Sequence, residues 1–181
     1  LLLGVDRLDY TKGIDQRLRV ARGLFDEGVL DPSADAYLQI AVPSREDVHG
    51  YAQLRAEVER LVGDINGTFA SLGRPVVHYL HRSVCVDELV ALYRAADVML
   101  VTPYRDGMNL VAKEFVASRV DDTGHLVLSE FTGAADELPE ATLVNPHDAA
   151  ALAASIRAAV ENPDCDVSAM AALRRRVAAQ S

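Results

Sequence analysis

Two cations five residues apart, Arg7 and Lys12, crowd the stretch GVDRLDYTKGID, which follows the apolar start Leu1 to Leu3. Arginine offers a planar fork of donors and lysine a mobile point charge, a complementary pair for a diphosphate. Gly13 lets the backbone come close as a helix opens, and that helix's N-terminus adds free N–H groups. Spacing alone leaves a second reading open, in which Arg7 pairs with Asp6 or Asp9 on the surface and Lys12 is solvated. The loop is no Walker motif, because G-x-x-x-x-G-K before Ser or Thr is absent, and no G-x-G-x-x-G fingerprint occurs.

A second constellation is TPYRDGMNLVAKEF, Thr102 to Phe115. It leaves an apolar strand, turns through Asp106-Gly107 and starts a helix near Asn109, a good capping residue. Asp106 is an acceptor able to hold sugar hydroxyls, and the amides of Gly107 to Leu110 suit a phosphate or sugar oxygen. Glu114 lies about 7.5 Å further along the helix axis. A nucleotide sugar needs such a set: one carboxylate for the hexose, another for the ribose diol, and donors between them for the diphosphate. A plain turn and helix cap, with Lys113 and Glu114 on a wet face, is the alternative that spacing leaves standing.

Other candidates carry less. His81-Arg82 could edge a base pocket or be a solvated loop. Ser44-Arg45-Glu46-Asp47 reads as a structural helix cap, and His78 as a core histidine. Ser129, Glu130 and Thr132 have no histidine partner at a readable spacing, so a hydrolase triad is unsupported. The five histidines form no paired-ligand pattern, and Cys85 and Cys165 no CxxC, which leaves no metal motif and suggests inert thiols in a reducing compartment.

These residues need a scaffold, and the chain alternates strands with helices nearly throughout. Strands are predicted at 1–5, 37–42, 76–80, 97–102, 126–129 and 142–144. Helices are predicted from Ile14 to Gly28, from Tyr51 towards Gly73, and over 87–96, 109–118, 133–138, 149–160 and 167–179. Continuous apolar strands mean burial on both faces, hence an α/β, doubly wound, Rossmann-like parallel sheet of about six strands in one domain, residues 1–181. Ligands in such sheets sit beyond the carboxyl ends of the strands, which points to loops 6–13, 43–47, 81–86 and 103–109.

Composition excludes some classes. With 18 basic and 27 acidic residues, a net charge of −9 argues against non-specific attraction to nucleic acid or an anionic membrane. No apolar run is long enough for a membrane span, no signal peptide is visible, and a cytoplasmic location is expected. Any bound phosphate must be held by a local site.

GVDRLDYTKGI together with TPYRDGMNLVAKEFVA resembles the trehalose-6-phosphate synthase family, retaining glycosyltransferases of family 20 and GT-B type. LVLSEFTGAADEL and ATLVNPHD match the family's later strands and turns, so the resemblance covers essentially all 181 residues. It implies the carboxy-terminal, donor-binding half of a two-domain enzyme that moves glucose from UDP-glucose to glucose 6-phosphate with retention. Arg7 and Lys12 match the pair on the diphosphate. Asp106, with backbone around Gly107, Met108, Asn109 and Leu110, matches the loop on the glucose hydroxyls. The amides of Leu110 and Val111 approach the diphosphate, Glu114 matches the carboxylate on the ribose, and the uracil falls near Ser83 and Val84. Arg7, Lys12 and Asp106 carry the catalytic expectation. No metal or other cofactor is implied, UDP-glucose being a substrate.

The chain starts without Met, directly in a strand, and the family's amino-terminal acceptor domain is not in it. By the same resemblance this piece alone neither holds glucose 6-phosphate well nor turns over, and the full-length protein is a homo-oligomer. Two competing functions stay open: a related transferase using GDP-glucose or a glucosylglycerol phosphate, and a non-catalytic nucleotide-sugar-binding module.

Overall fold

Short runs of consecutive apolar residues commit six segments of the chain to a sheet covered on both faces. The computed structural model describes residues 1–44, 49–162 and 167–179. Its strands are β1 (Leu2–Arg7), β2 (Tyr37–Val42), β3 (Val77–Leu80), β4 (Val98–Val101), β5 (His125–Ser129) and β6 (Thr142–Val144). All pairings are parallel, in the order β3-β2-β1-β4-β5-β6. The helices are α1 (Ile14–Asp26), α2 (His49–Phe69), α3 (Val86–Ala95), α4 (Leu110–Ser118), α5 (Gly133–Glu137), α6 (Ala149–Glu161) and α7 (Val167–Ala179). The doubly wound expectation holds. Helices α1, α2 and α6 cover one face around Leu18, Val58 and Ile156, while α3, α4, α5 and α7 cover the other around Tyr93, Phe115, Ala134 and Leu173.

This order creates the place for a site. After β1 the chain turns to β2 on one side, and after β4 to β5 on the other. The two loops part at the sheet's centre and leave a crevice beyond the strands' carboxyl ends.

Strand β1 runs two residues further than expected and ends on Arg7, so Asp6 and Arg7 belong to the strand and point to opposite faces. Asp6 is buried and pairs with the fully buried Arg17 of α1, which also donates to the Leu100 carbonyl at 3.0 Å. Gln39 of β2 donates to Asp6 at 3.1 Å and to the Ile40 carbonyl at 3.0 Å, and accepts from the Tyr37 hydroxyl. Burial pulls the Arg17 guanidinium down, but Asp6 and Tyr37, through charge and hydrogen bonding together, outweigh it and hold Arg17 above its ordinary value. The network ties β1, β2, β4 and α1 together beneath the crevice.

Gly4 sits opposite Gln39 in the β1–β2 register, and a Cβ there would come within 2.3 Å of Gln39 Oε1. Gly4→Ala is expected to displace this bonded amide and cost about 1–3 kcal/mol in urea unfolding, the usual range for overpacking. An unchanged midpoint would mean that Gln39 swings aside freely.

One edge position differs from expectation, and one buried arginine falls outside every motif. His78 is exposed, because β3 is the edge strand and the helix layer on that face leaves His78 uncovered. Arg119, which no motif singles out, is buried and donates to the carbonyls of Tyr93, Arg94 and Ala96, closing the end of α3. The 45–47 part of the predicted cap at Ser44-Arg45-Glu46-Asp47, and Cys165, lie outside the described residues. Cys85 is a free, exposed thiol. No helix among the described residues is long and apolar enough to cross a membrane.

Candidate functional site

Alternation along β1 puts Arg7 on the face shared by Leu3 and Val5, the side covered by α4. Arg7 is exposed at the strand's end. Neither carboxylate weighed as its surface partner is free for it. Asp6 belongs to Arg17, and Asp9 accepts from the Thr11 amide at 2.9 Å, the Thr11 hydroxyl at 2.8 Å and Tyr51 at 3.2 Å.

Those bonds to Asp9 start a single 3-10 turn, Tyr10–Lys12, which the sequence pattern does not reveal. Gly13 follows with φ +64°, in the left-handed region, and a Cβ there would meet the Thr102 carbonyl at 3.1 Å. The tight turn swings Lys12 inward. Lys12 is only 7 % exposed, so the solvated alternative is overturned, and its Nζ donates to Asp106 Oδ2 at 2.7 Å.

The loop carrying Asp106 is anchored on both flanks. The Tyr104 amide donates to the Thr11 carbonyl at 2.7 Å, the Asp106 amide to the Phe131 carbonyl at 3.3 Å, and the Gly133 amide to the Gly107 carbonyl at 2.6 Å. Asp106 accepts from the Gly107 amide at 2.9 Å and from Asn109 Nδ2 at 2.8 Å. Burial by itself pushes the Asp106 carboxyl up, but Lys12, Asn109 and the Gly107 amide together outweigh it and hold it below the ordinary carboxylate range. It is therefore ionised at neutral pH.

Asn109 adopts φ +61° and caps α4, its side chain accepting from the Ala112 amide at 3.2 Å. The amides of Leu110 and Val111, in the helix's first turn, have no intrahelical acceptor. They adjoin a hollow of about 340 Å³ lined by Val5, Asp6, Arg7, Lys12, Asp106, Asn109, Leu110 and Val111. The structure thus brings two cations, a carboxylate and a helix start together at the β1–β4 switch point. The expected contribution from the start of α1 is not found: Ile14 is 1 % exposed, and neither it nor Gly13 lines the hollow.

The remaining expected residues lie outside that lining. Gly107 and Met108 are exposed on the loop above it. Glu114 sits where α4 meets α3 and accepts from the Tyr93 hydroxyl at 3.1 Å. Burial, with the Glu114 charge added, pushes the Tyr93 phenol well up, so it remains a proton donor to that carboxylate. Ser83 is exposed after β3, and Val84 packs on the α3 side of the core. Arg82 pairs with Glu88 and donates to the Ser83 carbonyl at 3.2 Å, while His81 stacks on Tyr79. Lys113 and Glu114 are thus not merely wet: Lys113 pairs with Glu137. Ser129 and Thr132 are buried and bond within their own turn. Among the described residues no group of three or more His, Cys, Asp or Glu is placed to hold a metal ion.

An anion entering the hollow meets a guanidinium, an ammonium and two free amides, with ionised Asp106 as acceptor beside it. The chain is also similar to known proteins along nearly its whole length. The sequence profile of glycosyltransferase family 20 matches residues 1–178. A trehalose-6-phosphate synthase of Mycolicibacterium smegmatis is 57% identical over 180 residues, 99% of this chain and 36% of that protein. A solved E. coli structure bound with UDP-2-fluoro glucose superposes with a TM-score of 0.90 at 37% identity, covering 99% of this chain and 40% of that one. A UDP-forming α,α-trehalose-phosphate synthase from Burkholderia xenovorans, in complex with glucose-6-phosphate, gives 0.87 at 40% identity, covering 99% and 39%. The chain spans little more than a third of the length of these relatives.

Proposed function

Because the chain belongs to glycosyltransferase family 20, we propose that it is the donor-binding part of a UDP-forming α,α-trehalose-phosphate synthase. In this role it holds UDP-glucose while glucose passes, with retention, to glucose 6-phosphate. The observation that carries the proposal is the convergence of Arg7, Lys12 and the start of α4 on one hollow at the switch point. The acceptor is held only with the remainder of the longer protein, and the work belongs to the cytoplasm.

The family resemblance supplies the roles, and the geometry of the hollow supports those of the residues that line it. The diphosphate lies between Arg7 and Lys12, over the Leu110 and Val111 amides. As the bond from glucose to the diphosphate breaks, negative charge grows on departing UDP, and these four donors are already in place to stabilise it. Asp106, flanked by Gly107, Met108 and Asn109, takes the glucose hydroxyls as acceptor. Glu114, oriented by the Tyr93 hydroxyl, takes the ribose diol. The loop after β3 lies two strand spacings from β1, about 10 Å, which suits the reach of a nucleotide from diphosphate to base. Ser83 and Val84 would meet the uracil there. No metal is required, since the two cations supply the charge.

Calorimetric titration of the chain tests the donor. UDP-glucose is expected to bind at least tenfold more tightly than GDP-glucose or ADP-glucose, about 1.4 kcal/mol. Equal or tighter binding of GDP-glucose would transfer the proposal to another donor. Absence of binding by every nucleotide sugar would remove it.

A further inference from the structure

Asn109 is the one non-glycine residue of the hollow's lining with a positive φ, and its side chain makes two bonds in opposite directions. Its carbonyl oxygen accepts from the Ala112 amide, and its Nδ2 donates to Asp106 Oδ2 at 2.8 Å. The first bond fixes the start of α4, hence the aim of the Leu110 and Val111 amides. The second, with Lys12, fixes the orientation and charge of Asp106. We propose that Asn109 is a positioning residue whose side chain couples the carboxylate meant for the sugar to the amides meant for the diphosphate. This rests on the donor site proposed above.

Glycine would supply the backbone conformation as easily as asparagine, and aspartate would supply the cap. Asparagine combines the cap, a donor to Asp106 and tolerance of the left-handed backbone in one residue. The other charged groups around Asp106 cannot replace that donor. Lys12 is already bonded to it, Arg7 stands at the end of β1, and Asp6 is engaged by Arg17. Lys113 is paired with Glu137 across α4 and α5, and His147 stacks on Tyr104.

Asn109→Asp isolates the second bond. The cap persists, but two carboxylates now face each other at hydrogen-bond distance and cannot both remain ionised at low cost. They share a proton with a raised apparent pKa. When protonated, the introduced carboxyl donates to Asp106 and restores the lost bond, while its ionised form repels Asp106. UDP-glucose is the probe, because its diphosphate diester loses no proton between about pH 5 and pH 8.

The titrations are run on the 181-residue chain at about pH 5.5, 6.5 and 7.5. Wild-type affinity is expected to vary little over this range. Asn109→Asp is expected to bind roughly tenfold more weakly at the highest pH and to recover most of that loss at the lowest, with thermal melting showing the variant folded at every pH and, through the same repulsion, somewhat less stable at the highest. Asn109→Gly, which loses both bonds but keeps the backbone, is expected to bind weakly at every pH. A weakening in Asn109→Asp that is equal at all three pH values, or no weakening, overturns the coupling while leaving the donor site intact. Failure of the wild type to bind UDP-glucose instead sinks the site itself.

Discussion

Lys12→Ala is expected to weaken UDP-glucose binding between about tenfold and a hundredfold, a loss of roughly 1.5–3 kcal/mol for a charge-assisted contact. Two effects add. The phosphate loses an ammonium, and Asp106 loses the partner at 2.7 Å that neutralises it, so a carboxylate charge is left facing the phosphate. Lys12 is nearly buried, and alanine leaves Arg7, at the end of β1, as the remaining side-chain cation of the hollow's lining. Isothermal calorimetry checks this, with thermal melting of the variant as the control for folding. Affinity equal to wild type would remove Lys12 from the donor site and leave its bond to Asp106 as mere architecture.

The largest stability effect is expected at Arg17. Arg17→Met strips the partner from a buried carboxylate, Asp6, and should destabilise the chain by about 3–5 kcal/mol in denaturant unfolding. The loss comes from the stranded charge more than from the missing attraction. Adding Asp6→Leu to Arg17→Met should therefore recover much of the stability, since replacing both members of a buried ion pair by apolar groups is often neutral. The double variant should still bind the donor worse than wild type, because β1 presents Arg7 immediately after Asp6. A single variant losing less than about 1 kcal/mol would mean that water or a rearranged Gln39 satisfies Asp6.

How far the sequence reveals this architecture depends on distance along the chain. Strands such as Tyr37–Val42 and Thr142–Val144 are legible because short, mainly apolar runs are local properties, and the structure returns them with the expected bounds. The ion pair between Lys12 and Asp106 spans 94 positions and appears only once β1 and β4 lie side by side. Local pattern places both residues in loops, but cannot say that one neutralises the other. His78 departs from expectation for a similar reason, since an edge strand and a central strand of the same composition read alike. Some features that motifs overlook do carry a signal. Arg17 lies three residues after Ile14 and one before Leu18, on the apolar stripe of α1, and Gln39 interrupts an otherwise apolar strand. A charge or amide set in a buried stripe must find a partner, and these two meet at Asp6.

The site shows the same division. Arg7, Lys12, Asp106 and the first residues of α4 stand out by their types and spacing, and they share the hollow. The role of the Phe131 to Gly133 turn, which bonds the backbone of Asp106 and Gly107 from the far side, leaves no trace in composition. Backbone bonds of that kind depend on where two loops pass, not on which side chains they carry.

The central claim is that the end of β1, the turn after it and the start of α4 together seat a diphosphate. A crystal structure of the chain grown with UDP-glucose tests it most directly. The account predicts both phosphates inside the β1–β4 hollow, within hydrogen-bond reach of the Arg7 guanidinium, the Lys12 ammonium and the Leu110 and Val111 amides. A diphosphate bound elsewhere, with Lys12 and Asp106 still closed on each other over an empty hollow, would contradict it.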